Sequence, residues 1–182
     1  RSAAPSGASA GLHEAKVIDP GEAIPYAHLH LVPEIEGMDA RDQVAFDSLL
    51  RELDGTEDFS VIGANVAVAL SLANAKAAAS SLGMELFSYL GGAFVPEMPL
   101  PLGNIIGGGA HAANATDIQE FLVVATGAEG PTQAVFANAR VHRKVKDILK
   151  DGGKTCGKGD EGAWAPQIGD LEAFEIIDQA IG

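Results

Sequence analysis

Three stretches of the chain set polar side chains where chemistry could use them. In KGDEGAWAP (158–166), Asp160 and Glu161 stand side by side among glycine and alanine, with almost nothing adjacent that can pair with them. Such a carboxyl pair is either a solvated turn or part of an acid–base constellation, depending on what the fold brings near it. In NIIGGGAHAANATDIQEF (104–121), the glycines at 107, 108 and 109 let the backbone take positive φ or approach a ligand closely. His111 follows them, and Gln119 and Glu120 sit at the mouth of an apolar run. On these residues alone His111 reads as a surface-loop histidine, and Glu120 as a strand-end carboxylate, before either reads as a site residue. The third stretch, SGAS (6–9), offers hydroxyls and free backbone groups fit for a hard cation or a phosphate, although such loops are also common linkers.

Other patterns are weaker. Gly152-x-x-x-x-Gly157-Lys158 nearly makes a phosphate-binding P-loop, but Gly159 stands where Ser or Thr should hold Mg²⁺, and a helix rather than a strand leads into it. His28 and His30 have the spacing that puts two rings on one face of a strand; with no third ligand beside them they read as solvated. His142, among Arg143, Lys144 and Lys146, reads as part of a wet helix face. Asn114-Ala-Thr116 fits a glycosylation acceptor and, without a secretion signal, is taken as chance.

The elements that must position these residues fall into two groups. LHEAKVID (12–19) reads as a strand, closed by the turn Asp19-Pro20-Gly21. AIPYAHLHLVPEI is ambiguous, because Pro25 and Pro33 interrupt a possible helix. Asp39 is expected to cap a helix burying Val44, Phe46, Leu49, Leu50 and Leu53, ended by Gly55. Residues 64–82 read as a long alanine-rich helix stopped by Gly83, and ELFSYL as a short one. Beyond about residue 95 the pattern changes. MPLPLGNII (98–106) predicts a strand entering glycine, and EFLVVAT (120–126) a strand buried on both faces. Pro131 opens a helix running to Gly152, and Asp170 is placed to cap a last helix, LEAFEIIDQAIG. The first group is α+β in character; the second is the opening of an α/β architecture.

Composition narrows the partners. A net charge of −13 over 182 residues argues against nucleic acid or an anionic membrane surface. No apolar run reaches the roughly 18–20 residues of a membrane span. Cys156 is the only cysteine, so there is no disulfide framework, and a cytoplasmic location is expected. Arg1, rather than Met, opens the chain, which implies processing or a piece of something longer.

Taken together, PSGASAGLHEA, LDGTEDFSVIGANVAVALSLANAKAAA, NIIGGGAHAANATDIQEF and KGDEGAWAP occur in the order and at roughly the spacings of the enolases, the phosphopyruvate hydratases. The chain resembles that family over nearly its whole length. The resemblance implies an α+β capping domain (residues 1–95, partial) followed by the start of an enolase-type (β/α)8 barrel (96–182), incomplete, since a barrel takes about 250 residues. It implies a Mg²⁺-dependent lyase that dehydrates 2-phosphoglycerate to phosphoenolpyruvate in glycolysis and gluconeogenesis, usually as a homodimer. The chemistry explains the residue types. Removing a proton α to a carboxylate needs metal charge to stabilise the product, as enolase-superfamily sites provide. The hydroxyl at the next carbon then needs a proton in order to leave.

By position, Glu161 resembles the family's acid that delivers this proton, and Glu120 its partner carboxylate near the same hydroxyl. Gln119 and His111 resemble substrate contacts, His111 on a loop that closes over it. Ser9 resembles the lid-loop serine that ligates the second Mg²⁺. There are departures from the family pattern. The region between HEA and GMDARDQ is short and lacks the usual Gly-Lys-Gly-Val segment. Ala163-Trp164 replaces a common Gly and a smaller or aromatic residue, so that Trp164 is expected to pack beneath the acid. The first strands of the capping domain, the three carboxylate ligands of the first Mg²⁺, the lysine base and the phosphate-binding arginine find no counterpart. The 182 residues alone are therefore expected to be inactive. The alternative expectation is a non-catalytic, enolase-derived module that keeps this half as a binding or assembly surface.

Overall fold

The computed structural model describes residues 1–7, 10–92, 98–112 and 115–182, with the backbone alone at His111. Contacts divide the chain into two compact units, residues 1–96 and 97–182.

In the first unit every regular element among the described residues is helical. Helix α1 (Pro20–Tyr26) starts where Asp19 accepts the Gly21 N–H at 2.8 Å and Pro20 supplies a preset φ. Pro25 and Pro33 do not break the run that follows. A π-turn at Ala27–Leu31 joins α1 to α2 (Val32–Ile35), and the Val32 N–H reaches back to the Ala27 carbonyl. This wider turn carries the chain past the two prolines. It also removes the strand geometry on which a shared face for His28 and His30 depended; the His30 ring lies tilted against Tyr26 with ring centres 4.4 Å apart.

The strand expected at 12–19 is absent. Leu12 and His13 lie in a turn, and the rest of the segment is irregular, its partners Asp58, Ala64 and a side chain rather than a second strand. Lys16 donates its N–H to Asp58 and accepts from Ala64, both at 2.7 Å, while the Asn65 amide pairs with both backbone groups of Ile18. An asparagine amide here does the work of a strand edge.

Helix α3 (Gln43–Asp54) is capped by Asp42, whose carboxylate accepts the Ala45 N–H at 3.0 Å, and not by Asp39. Asp39 instead closes a turn onto Arg41, and that guanidinium holds its carboxyl down at about 2. Phe46, Leu50 and Asp54, spaced by four, line the buried face; Val44, two residues off that stripe, is exposed. Helix α4 (Ala64–Ser81) buries Ala67, Ala75, Ala78 and Ala79, and α5 (Leu86–Gly91) follows. The core here is Leu31, Phe46, Leu50, Ile62 and Ala67.

The second unit is built on β1 (Gly103–Gly107) and β2 (Glu120–Val123), which pair antiparallel. A bulge between Asn104 and Ile106 sets two residues of β1 against one of β2. Ile105 and Ile106 are consequently both buried, where strict alternation would expose one. Strand β2 is shorter than expected and is not buried on both faces. Phe121 and Val123 are buried, Leu122 and Val124 are exposed, and Phe121 meets Phe174 edge-on at 4.9 Å. Among the described residues, helices α6 (Pro131–Asp151) and α7 (Asp170–Ile181) close a core of Ile105, Ile106, Phe121, Val145, Leu149 and Ile177. Asp170 is the first residue of α7 rather than its cap, which is Gly169.

Candidate active site

Strand β1 is flanked on both sides by residues singled out from sequence. On one side Glu120, half-buried, opens β2 opposite Gly107. On the other, Trp164 pairs parallel with Ile106: Trp164 donates to the Ile105 carbonyl and accepts from Gly107 N–H, both at 2.9 Å.

The loop between Gly107 and Glu120 is shaped by close approach. Gly108 N–H donates to the Gln119 carbonyl and Gly109 N–H to the Thr116 carbonyl, at 2.9 and 2.8 Å. A Cβ at Gly108 would lie 2.6 Å from the Ile118 carbonyl oxygen and closer still to Thr116, so only glycine fits. Asp170 holds the same return segment from outside, accepting the N–H groups of Asp117 and Ile118 at 3.0 and 3.2 Å. The residue expected to cap a helix thus fixes the chain just ahead of Gln119 and Glu120. His111 ends a 3₁₀ turn at Gly109–His111; its side chain, and Ser9 entirely, lie outside the described residues.

Residues 157–165 fold back on themselves. Gly159 N–H donates to Ala163 at 2.9 Å and Ala165 N–H to Gly157 at 3.1 Å, leaving Asp160 and Glu161 at the tip, where Gly162 takes φ +82°. This pairing rules out a P-loop at 152–158, because Lys158 leads into a turn instead of a helix N-terminus. Its ammonium sits 4.7 Å from the centre of the Trp164 ring.

One residue of α6 that reads as solvated, His142, secures this loop. His142 points its Nε2 at the Gly162 carbonyl, 3.1 Å away, so Nε2 carries the hydrogen. The imidazole stacks on Trp164 at 4.9 Å, and the indole N–H donates to the His142 carbonyl at 2.9 Å. Burial pushes the His142 pKa down, the Lys158 charge adds to that, and the Gly162 hydrogen bond opposes it. Trp164 therefore packs against α6 as a staple for the turn that carries Glu161. Facing that turn from β1, Asn104 donates its amide N–H to Glu161 Oε2 at 3.2 Å.

The arrangement offers one carboxylate on each flank of a single strand, each on a segment held by several hydrogen bonds. Among the described residues no group of three or more His, Cys, Asp or Glu side chains could hold a metal ion. The donor set described thus does not by itself fit a Mg²⁺ site.

Residues 1–90 match the family model described as Enolase, N-terminal domain, and residues 96–182 that described as Enolase, C-terminal TIM barrel domain. The chain belongs to the enolase family. It carries that family's N-terminal capping domain and the start of its barrel domain, represented by the two-stranded sheet. Among proteins named Enolase, it is 63% identical to one from Methanocorpusculum labreanum over 180 residues, covering 99% of this chain and 45% of that protein. It is 56% identical to one from Halorubrum lacusprofundi, covering 100% and 46%, and 52% identical to one from Archaeoglobus fulgidus, covering 98% and 44%. The chain thus spans less than half the length of these relatives. No helix among the described residues is long and apolar enough to cross a membrane.

Asn104, His142 and Asp170 escaped sequence reasoning as site residues. Their signal is tertiary: each acts by reaching a backbone group or carboxylate brought close only by folding.

Proposed function

We propose that the full-length protein carrying this chain is a Mg²⁺-dependent enolase, dehydrating 2-phosphoglycerate to phosphoenolpyruvate in glycolysis and gluconeogenesis. The observation that carries this reading is the relationship, along the entire chain, to proteins named Enolase. The domain boundary near residues 95 and 96, a homodimeric state and a cytoplasmic location belong to the same proposal.

Glu161 is the acid that protonates the departing hydroxyl, and Glu120 is its partner carboxylate on the opposite flank of β1. Gln119 and His111 contact substrate, and Ser9 contributes a lid-loop oxygen to a bound cation. A cation held there would supply positive charge against the negative charge of α-proton loss, and the described residues alone would not hold it. A polypeptide of residues 1–182 alone is inactive in this reading, for want of that donor set. What supports Glu161 as the acid is its seat at the tip of a turn held by Gly159, Ala163, His142 and Asn104.

Glu161→Gln in the full-length protein should lower turnover of 2-phosphoglycerate by about 10²–10⁴-fold, the usual worth of a general acid, with the unfolding transition unchanged. Ordinary turnover in that variant would remove Glu161 from the role.

A further inference from the structure

A general acid alternates between carboxylic acid and carboxylate in every cycle. A neighbour that holds it in place throughout must therefore partner both forms. A carboxylate only accepts hydrogen bonds, whereas a carboxylic acid also donates one. Lysine or arginine serves the first state alone. A primary amide has both a donor and an acceptor, and so can serve both.

Asn104 is placed to do this. Its Nδ2 donates to Glu161 Oε2 at 3.2 Å, the bond a carboxylate requires. Its Oδ1 is buried and, among the described residues, has no hydrogen-bond partner. Leaving a buried acceptor in that condition is costly, so a donor arriving there is favoured. The O–H of a protonated Glu161 is such a donor, delivered to the same amide each time the acid is recharged. The side chain itself is fixed from below. Asn104 lies in β1 opposite Leu122, immediately before the bulge that commits Ile105 and Ile106 to the core.

We infer that Asn104 is the positioning residue for Glu161, holding the carboxylate through Nδ2 and the carboxylic acid through Oδ1. The inference rests on the reading of Glu161 as the acid. Asn104 touches neither substrate nor cation in this account; it keeps the proton donor aimed.

The test separates the two halves of the reaction in the full-length protein. Loss of the α-proton can be followed alone, as exchange of that hydrogen with deuterated solvent, and it does not need the acid. Dehydration does. Asn104→Leu, matched in size and lacking both amide functions, should lower kcat for 2-phosphoglycerate about 10–100-fold, the scale of a misaimed catalytic group. KM and α-proton exchange should stay within about 2-fold. In the Asn104→Leu, Glu161→Gln double variant, kcat should be no lower than in Glu161→Gln alone, since both changes remove one function. Asn104→Asp keeps the shape and loses the amide donors; it should show the same split, and it carries the test if the leucine variant lacks a cooperative unfolding transition.

Unchanged kcat in the folded variants would overturn the inference, and so would a parallel fall of exchange and kcat, which marks a general structural role. The two readings fail separately. Normal turnover in Glu161→Gln removes the acid itself, whereas an inactive Glu161→Gln beside a fully active Asn104→Leu removes only the part given to Asn104.

Discussion

Removing the Asp54 carboxylate should unlock the loop between α3 and α4, and the cost can be apportioned bond by bond. Asp54 ends α3 and is only 4% exposed. Its Oδ1 accepts the Thr56 N–H at 3.0 Å and the Thr56 hydroxyl; its Oδ2 accepts the N–H groups of Val61 at 3.1 Å and Ile62 at 2.8 Å. Burial works to raise its pKa, but these four donors outweigh it and bring the carboxyl below its ordinary 3.8. In Asp54→Ala the Ile62 N–H is left buried without a partner, at about 1–3 kcal/mol, while water can reach Thr56 and Val61, whose losses are about 0.5–1 kcal/mol each. The expected destabilisation is about 2–5 kcal/mol, a large share of a typical domain's 5–15 kcal/mol. Asp54→Asn should be far milder, about 1 kcal/mol, because its one oxygen can turn to Val61 and Ile62 and leave the exposed Thr56 to solvent. Urea unfolding of the full-length protein, followed by circular dichroism, measures both. The folded-state pKa is depressed, so the carboxylate's contribution is complete above about pH 4 and is lost as pH falls through the lowered value. The gap between wild type and Asp54→Ala should therefore narrow in acid. A loss under about 0.5 kcal/mol in the alanine variant, or equal losses in both, would refute the reasoning.

Gly108→Ala should lower stability by about 1–3 kcal/mol or more, since its Cβ meets backbone oxygens that cannot swing aside; a melting curve matching wild type would mean the 115–119 segment gives way freely. His142 has a folded pKa below its ordinary 6.5, so the unfolded chain takes up the proton first as pH falls. Stability should be fully present above about pH 6.5 and decline toward the lowered folded value, and His142→Gln should flatten that slope; an unchanged slope in urea midpoints between pH 8 and 5 would sever the link.

The sequence was most informative where one local rule decided the outcome. Alanines at helical spacing with a terminal glycine located α4, and Pro131 located the start of α6. Reading failed where tertiary partners overrode local pattern. The 12–19 segment has strand composition, but the Asn65 amide and a loop answer its backbone groups. Asp39 and Asp42 both suit a cap, and the ion pair with Arg41 takes the first away. EFLVVAT looked doubly buried, yet the described residues cover one face, so alternate side chains emerge. At the candidate site, the resemblance marked Glu120 and Glu161 from short motifs. It was silent on Asn104 and His142, because a lone asparagine in a strand and a histidine among lysines carry no local signature. What makes them matter is the distance to a turn some 57 and 20 residues away in sequence.

Trp164 has a further consequence. It is the one tryptophan in these 182 residues, and its indole has the His142 imidazole stacked on it and the Lys158 ammonium 4.7 Å from its centre, two neighbours able to alter its emission. Its backbone joins β1 while its own turn carries Glu161, three residues earlier. The chain thus contains a built-in optical probe of the turn, whose brightness would register both the charge of the imidazole beside it and any lifting of the turn from α6, without a label being attached.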